Sequence, residues 1–309
     1  MIRAPSPSAG PTPGPRTHRF RALGGPCTLH LYAPDDAALQ RACAAAEAEV
    51  RRIETQYSRY RDDSIVSRIN AAAGSGSAIE VDDETAALLD YAATAFAQSG
   101  GLFDITSGVL RRVWDFKARR VPAQREIDAL KPLIGWDQVE WRRPGVRLPR
   151  EGMELDFGGF GKEYAADRAA AVLLAQGLRH GLVDLAGDIR VIGSHPDGAP
   201  WQVGIQHPRA AGAIATIPLT RGAIASSGDY ERGFERDGRR YCHILDPRSG
   251  WPVQGLAAVS VLADRCLIAG TACTTAMLLG ADDGPRWLAD LGLPHLYVRA
   301  DLSLGGTIL

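Results

Sequence analysis

Between Gly181 and Ala263 the sequence runs through short apolar stretches, GLVDLAGDIRVIG, WQVGIQHP, TIPLTRGAIASSG, YCHILDP and AAVSVLA, joined by Gly and Pro turns. Runs of this length, bounded by such residues, read as strands. They are grouped, with helical segments before and after them. There is no regular βαβ alternation and no fixed-period repeat. That grouping predicts an α+β domain with a mostly antiparallel sheet core and flanking helices. A doubly wound sheet is the alternative.

The flanking elements follow from periodicity. CTLHLYA, 27–33, alternates like a strand. Asp35 or Asp36 can cap a long helix reaching about Gln56, whose apolar residues Leu39, Cys43, Ala46, Val50 and Ile53 form one stripe. A second helix is expected over Glu84–Gln98, stopped by Gly100 and Gly101, and a short one near Arg125–Leu130. Later, a helix over Leu267–Leu279 should end at Gly280, with a short helix near Pro285–Leu291 and final strands in HLYVRA and LSLGGTIL. Residues 1–18 are Pro-rich with almost nothing to bury, and read as a disordered leader to one large domain over 19–309.

Composition excludes several functions. The chain of 309 residues has a net charge of −1, so no global basic field recruits nucleic acid. No apolar run is long enough for a transmembrane segment, and the leader lacks the apolar core of a signal peptide. Cys27, Cys43, Cys242, Cys266 and Cys273 are odd in number and form no C-x-x-C, which argues against disulfides or a zinc cluster and for a cytoplasmic setting. Cys266 and Cys273, seven apart, should share a buried helix face.

The stretch LDFGGFGKEYAADRAAAVLL, 155–174, reads as strand, turn and helix, with Gly158, Gly159 and Gly161 ahead of Lys162. A helix opened by a Gly-rich turn is suited to hold phosphate, because its first N–H groups are unpaired and its dipole favours an anion. It is neither a Walker A loop, since 156 is Asp and 163 is Glu, nor a dinucleotide fingerprint, since Tyr164 takes the third glycine position. A second polar cluster, SSGDYERGFERDGRRYCHILDPRSGWP, places Asp229, His243 and Asp246 at strand ends. Singly, His243 is as compatible with a hydrogen-bonded structural histidine on a strand, and the two aspartates with turn residues.

Together these segments resemble the ApbE family of flavin transferases, the FAD:protein FMN transferases, over about residues 20–309. YSRYRDDSIVSRIN is similar to the polar segment after the family's first helix. GGLFDITSGVL resembles its G-x-F-D-x-T-x-G loop, and LDFGGFGKEYAAD its D-x-G-G-x-A-K-G-x-x-x-D loop. SSGDYERGFERDGRRYCHILDPRSGWPV resembles its S-G-D-Y…H-I-x-D-P-x-T-G segment. The resemblance implies a T-fold-related single domain. It also implies transfer of the FMN half of FAD to a Thr or Ser hydroxyl of an acceptor flavoprotein, with release of AMP. By match of position, Leu23, Tyr60, Leu102, Phe103 and Asp104 would line the flavin or its tail, Asp156 and Lys162 would stand beside the dinucleotide, and His243 and Ile244 would lie near the reacting end, with His243 catalytic. Family enzymes use Mg²⁺, held by a backbone carbonyl of the Gly-rich loop and an Asp-x-x-x-Thr pair on a late helix. Here Gly159 matches the carbonyl donor and Thr274 the threonine, but the Asp position falls on Gly270, with Asp264 as a distant substitute. The loop also reads G-K-E in place of G-K-G. A non-catalytic FAD-binding or flavin-delivery protein of the same fold is therefore the second reading. No good copy of the acceptor pattern D-x-x-S/T-G-A-T is present, so action in trans is expected.

Overall fold

A computed structural model of the chain describes residues 14–308. The leader lies outside the described residues over 1–13. Its expected boundary is too late, because a strand already begins at Arg16.

The main sheet has eight strands: β1 (Arg16–Ala22), β2 (Gly25–Leu31), β3 (Gly181–Leu185), β4 (Asp188–Gly193), β5 (Gly222–Gly228), β6 (Leu256–Ala263), β7 (His295–Arg299) and β8 (Leu304–Gly306). They lie side by side in chain order, and every neighbouring pair is antiparallel. The expected α+β architecture holds and the doubly wound alternative does not. Six helices accompany the sheet: α1 (Asp36–Tyr57), α2 (Ile65–Ala71), α3 (Asp83–Gln98), α4 (Gln124–Leu130), α5 (Gly161–Ala175) and α6 (Cys266–Asp290). Asp35 caps α1, its carboxylate accepting from Ala38 N, and Val50 and Ile53 of the expected stripe are fully buried.

The sheet is the middle layer. Side chains alternate along its strands, so one face of each enters a different core. Leu29, Leu31, Val183, Ala225, Val259 and Val261 pack toward α1, α5 and α6. Leu182, Val191, Ile224, Ala258 and Val298 pack on the other side, beneath a hairpin formed by Trp201–Gln206 and Ala213–Leu219. Cys266 and Cys273 are both buried on α6, as their spacing predicts, and the five cysteines are free thiols.

Two local expectations fail. Leu155 to Phe157 is not a strand: Asp156 accepts from Gly158 N and starts a tight 3₁₀ turn over Phe157–Gly159 that leads into α5. His243 follows the strand Arg239–Cys242 and is not in it, because the chain turns there toward the Asp246–Gly250 bend. The α6 segment, by contrast, breaks at Gly280 (φ 90°) and a second helical piece runs on to Asp290, as the sequence predicts.

Helices α5 and α6 are joined by one carboxylate. Asp167 accepts from the N–H groups of Cys266 and Leu267, both at 3.0 Å, and pairs with Arg190 of β4 at 3.1 Å. It thus caps α6 from another helix and neutralises the sheet's arginine at once. Burial pushes its carboxyl up, against the pull of those hydrogen bonds and of Arg190. Asp167→Ala is expected to cost about 2–4 kcal/mol, because it leaves two helix N–H groups unpaired and takes the counter-charge from a half-buried arginine. Urea denaturation measures this, and a loss under about 1 kcal/mol would show that α6 holds its place without the cap.

Candidate active site

Helices and loops meet over the β5–β6 end of the sheet around a cleft. Four separated segments line it: Leu102–Gly108 with Arg111, Asp156–Glu163, Ser226–Arg232 with His243–Leu245, and Thr274 with Leu278. The sequence-predicted residues Leu102, Phe103, Asp104, Asp156, Gly159, Lys162, His243, Ile244 and Thr274 all lie here.

The first loop is shaped by Asp104. Its carboxylate accepts from Thr106 N and Thr106 Oγ1 (both 2.7 Å) and from Trp136 N (3.0 Å), so it holds the loop in place. Burial pushes its carboxyl up in spite of these bonds. Phe103 is 4% exposed and its ring stacks on Phe160, so the expected flat face belongs to the core and only its edge reaches the cleft. Gly108 must be glycine: a Cβ there would stand 2.6 Å from Asp156 Cβ. That close approach lets Arg59 and Arg111 both reach the Asp156 carboxylate at 3.1 Å. Burial opposes its ionisation, but the two guanidiniums prevail and hold its pKa below the usual value.

Lys162 opens α5 and its ammonium lies against the Asp188 carboxylate of β4. Burial works against its charge, and Asp188 and Glu163 more than offset this, keeping it protonated. The expected free phosphate ligand is therefore already paired. Next to it, Glu163 is buried, and burial together with Asp188 pushes its carboxyl well up; its Oε2 has no hydrogen-bond partner among the described residues. Thr274, half-buried on α6, shares a hydroxyl hydrogen bond with Ser227 of β5 at 3.1 Å.

His243 N donates to Arg232 O at 2.9 Å, while its ring Nδ1 is buried and unpartnered. Burial, then Arg232 and Arg111, pull its pKa down to about 4, so the ring is neutral at pH 7.

Two of the expected residues lie apart from this cleft. Leu23 sits in the β1–β2 turn, its N–H donating to Glu54 at 2.6 Å. Tyr60 is 80% exposed, under the Arg59 guanidinium, which links it only indirectly to Asp156. Asp264 is exposed and does not line the cleft, so it is no substitute ligand. Asp229 pairs with Arg209 and Asp246 organises its turn, as turn residues do. The sequence reading missed Arg111, Arg232 and Glu163 as cleft residues, and Asp188 as the partner of Lys162. Arg232 has no ion pair among the described residues, and nothing in its local charge run sets it apart from a solvated face. Only Glu163 left a signal, as a departure in the Gly-rich loop.

The sequence profile of the ApbE family matches residues 23–297. The chain belongs to the ApbE family. A relative from Rhodobacter capsulatus, named FAD:protein FMN transferase, is 31% identical over 95% of this chain, which spans 55% of that protein, little more than half. One of the same name from Treponema pallidum is 31% identical over 90% of this chain and 83% of its own length. The crystal structure of an ApbE protein from Thermotoga maritima superposes with a TM-score of 0.88 at 30% identity, covering 95% of this chain and 97% of that one. Three of the four ApbE motif segments line the cleft, joined there by Thr274 of α6, while the segment holding Tyr60 lies apart from it.

His243 makes a testable demand on stability. A histidine held neutral by burial takes up a proton on unfolding below pH 6.5, so it favours the folded state above that pH. The contribution is lost as pH falls from 6.5 toward 4, to the extent of about 3 kcal/mol. The wild-type chain should therefore lose stability more steeply over that window than His243→Gln, in denaturation series at several pH values. Parallel curves would mean that the ring titrates as an ordinary surface histidine.

Proposed function

We propose that this protein is an FAD:protein FMN transferase, moving the FMN half of FAD onto a Thr or Ser hydroxyl of an acceptor flavoprotein and releasing AMP. The observation that carries this is the meeting of three ApbE motif segments and Thr274 on one cleft, with a neutral imidazole at its wall whose Nδ1 has no hydrogen-bond partner among the described residues. The acceptor hydroxyl attacks the phosphorus nearer riboflavin, the P–O bond to AMP breaks, and the hydroxyl proton must leave. We assign the neutral imidazole of His243 as the base that accepts it. Arg232, free of carboxylate partners among the described residues, and the cationic Arg111 face the pyrophosphate. They favour the charge that builds on its oxygens. Lys162 acts by holding Asp188 and the start of α5. Leu102 and Ile244 supply apolar wall for the flavin, and the exposed Tyr60 ring and Leu23 would cover its outer parts.

The cleft also suits a divalent cation. Its donors are hard oxygens, the Gly159 carbonyl and the Thr274 hydroxyl, and a buried carboxylate oxygen nearby lacks any partner. Mg²⁺ bound there would neutralise the pyrophosphate. The five free thiols suit a reducing, cytoplasmic setting. Among the described residues no helix is long and apolar enough to cross a membrane. The non-catalytic reading is not favoured, because relatives spanning most of the chain are named as transferases.

Incubation with FAD, Mg²⁺ and an acceptor domain carrying a D-x-x-S/T-G-A-T segment should release AMP and leave flavin fluorescence on the acceptor in a denaturing gel. His243→Ala should still bind FAD and transfer about 10²–10⁴ times more slowly. Bound FAD that releases no AMP in the presence of any such acceptor would support the flavin-binding reading instead.

A further inference from the structure

Two departures from the ApbE motifs meet in space. At 270 the chain has glycine where the motif places its metal-binding aspartate, and at 163 it has glutamate where the motif has glycine. A Cβ built on Gly270 would lie 2.5 Å from Glu163 Cγ, 2.9 Å from its Cδ and 2.8 Å from its Oε1. The room left by the missing aspartate is thus filled by the glutamate side chain, reaching over from the first turn of α5. Either side chain excludes the other. The glutamate carboxylate stands on the neighbouring helix and lines the cleft.

The same carboxylate has an unmet need. Glu163 is buried, and its Oε2 has no hydrogen-bond partner among the described residues. A buried oxygen left in that state costs free energy unless a cation or donor satisfies it. It shares the cleft with Gly159 and with Thr274, which stands one helical turn beyond Gly270 on α6. We propose that Glu163 supplies the carboxylate ligand of the divalent cation in this site, in place of an aspartate at 270. Glutamate is longer by one methylene and starts from the opposite helix, and it offers the same hard, anionic oxygen that Mg²⁺ and Mn²⁺ prefer. An exchange of this kind explains both departures together, where each alone reads as the loss of a site. On this account Gly270→Asp alone does not create a metal site, since that side chain would be built into Glu163.

The proposal rests on the flavin-transferase reading, and the test separates the two. Mn²⁺ binding to the full chain is followed by electron paramagnetic resonance with FAD present, and FAD binding is measured independently by fluorescence. The wild type should bind one Mn²⁺. Glu163→Gln keeps the shape against Gly270 and should weaken Mn²⁺ by at least ~10-fold, the scale on which even outer-shell partners of a metal act, with FAD binding retained. Glu163→Gly should weaken it as much, and the reciprocal exchange Glu163→Gly with Gly270→Asp should restore it. Gly270→Asp alone should fail to tighten Mn²⁺. Wild-type affinity in Glu163→Gln, or no recovery in the reciprocal exchange, overturns the ligand assignment. FAD binding by the wild type with no Mn²⁺ uptake also overturns it and leaves the flavin reading standing. Absence of FAD binding overturns both.

Discussion

The Asp167 carboxylate is the contact on which the arrangement of this site depends. It lies on α5, caps the first N–H groups of α6 and answers Arg190 on the sheet. One side chain thereby sets the height of α6 against α5. Glu163 stands one turn before Asp167 on α5, and Gly270 one turn after Cys266 on α6. With the cap in place, those two positions face each other, and Thr274 follows a turn later at the cleft. The spacing from Asp156 to Asp167 in the Gly-rich loop is thus a mechanical distance: one end starts the turn, the other locks the next helix.

Charge is buried here on a scale that packing alone would not favour. Lys162, Glu163 and Asp188 sit together under α5, and Asp156 lies between two arginines. Removing such groups from water costs several kcal/mol each unless they are paired, and replacing them by apolar residues often stabilises a protein. Their concentration at one cleft, on a sheet that is otherwise apolar on both faces, fits a site built for a polyanionic ligand and its counter-cation. Most of the cations in the cleft are already balanced by carboxylates. Arg232 is the one without a carboxylate partner among the described residues, so it offers charge to a ligand at the least electrostatic cost.

Much of the fold was legible in the sequence because it rests on local periodicity. The stripe from Leu39 to Ile53 gave α1, the Gly100–Gly101 pair marked the end of α3, and the grouped strands after Gly181 gave an antiparallel sheet. Strand β1 was not legible: RTHRFRA is polar and follows a Pro-rich leader, and its pairing with β2 is what makes it a strand. The site was legible only through whole motifs. Asp104, Asp156, Lys162 and His243 were found, but the roles shifted on contact with the structure. Asp104 organises a loop, and Lys162 is spoken for by Asp188, a residue that carries no local signal of its own.

By itself the sequence determined the helices, the strand-rich second half, the family, and the set of segments that must carry the chemistry. These depend on spacing along the chain, which periodicity and motif order record directly. Only the tertiary structure decided which carboxylate goes with which partner. Glu163 and Gly270 are more than a hundred positions apart, and each alone is a defect in its motif. Their meaning appears when α5 and α6 pack side by side and one side chain fills the space the other lacks. Close packing ties the two positions together, since a side chain at 270 and the glutamate at 163 as it stands cannot share one volume.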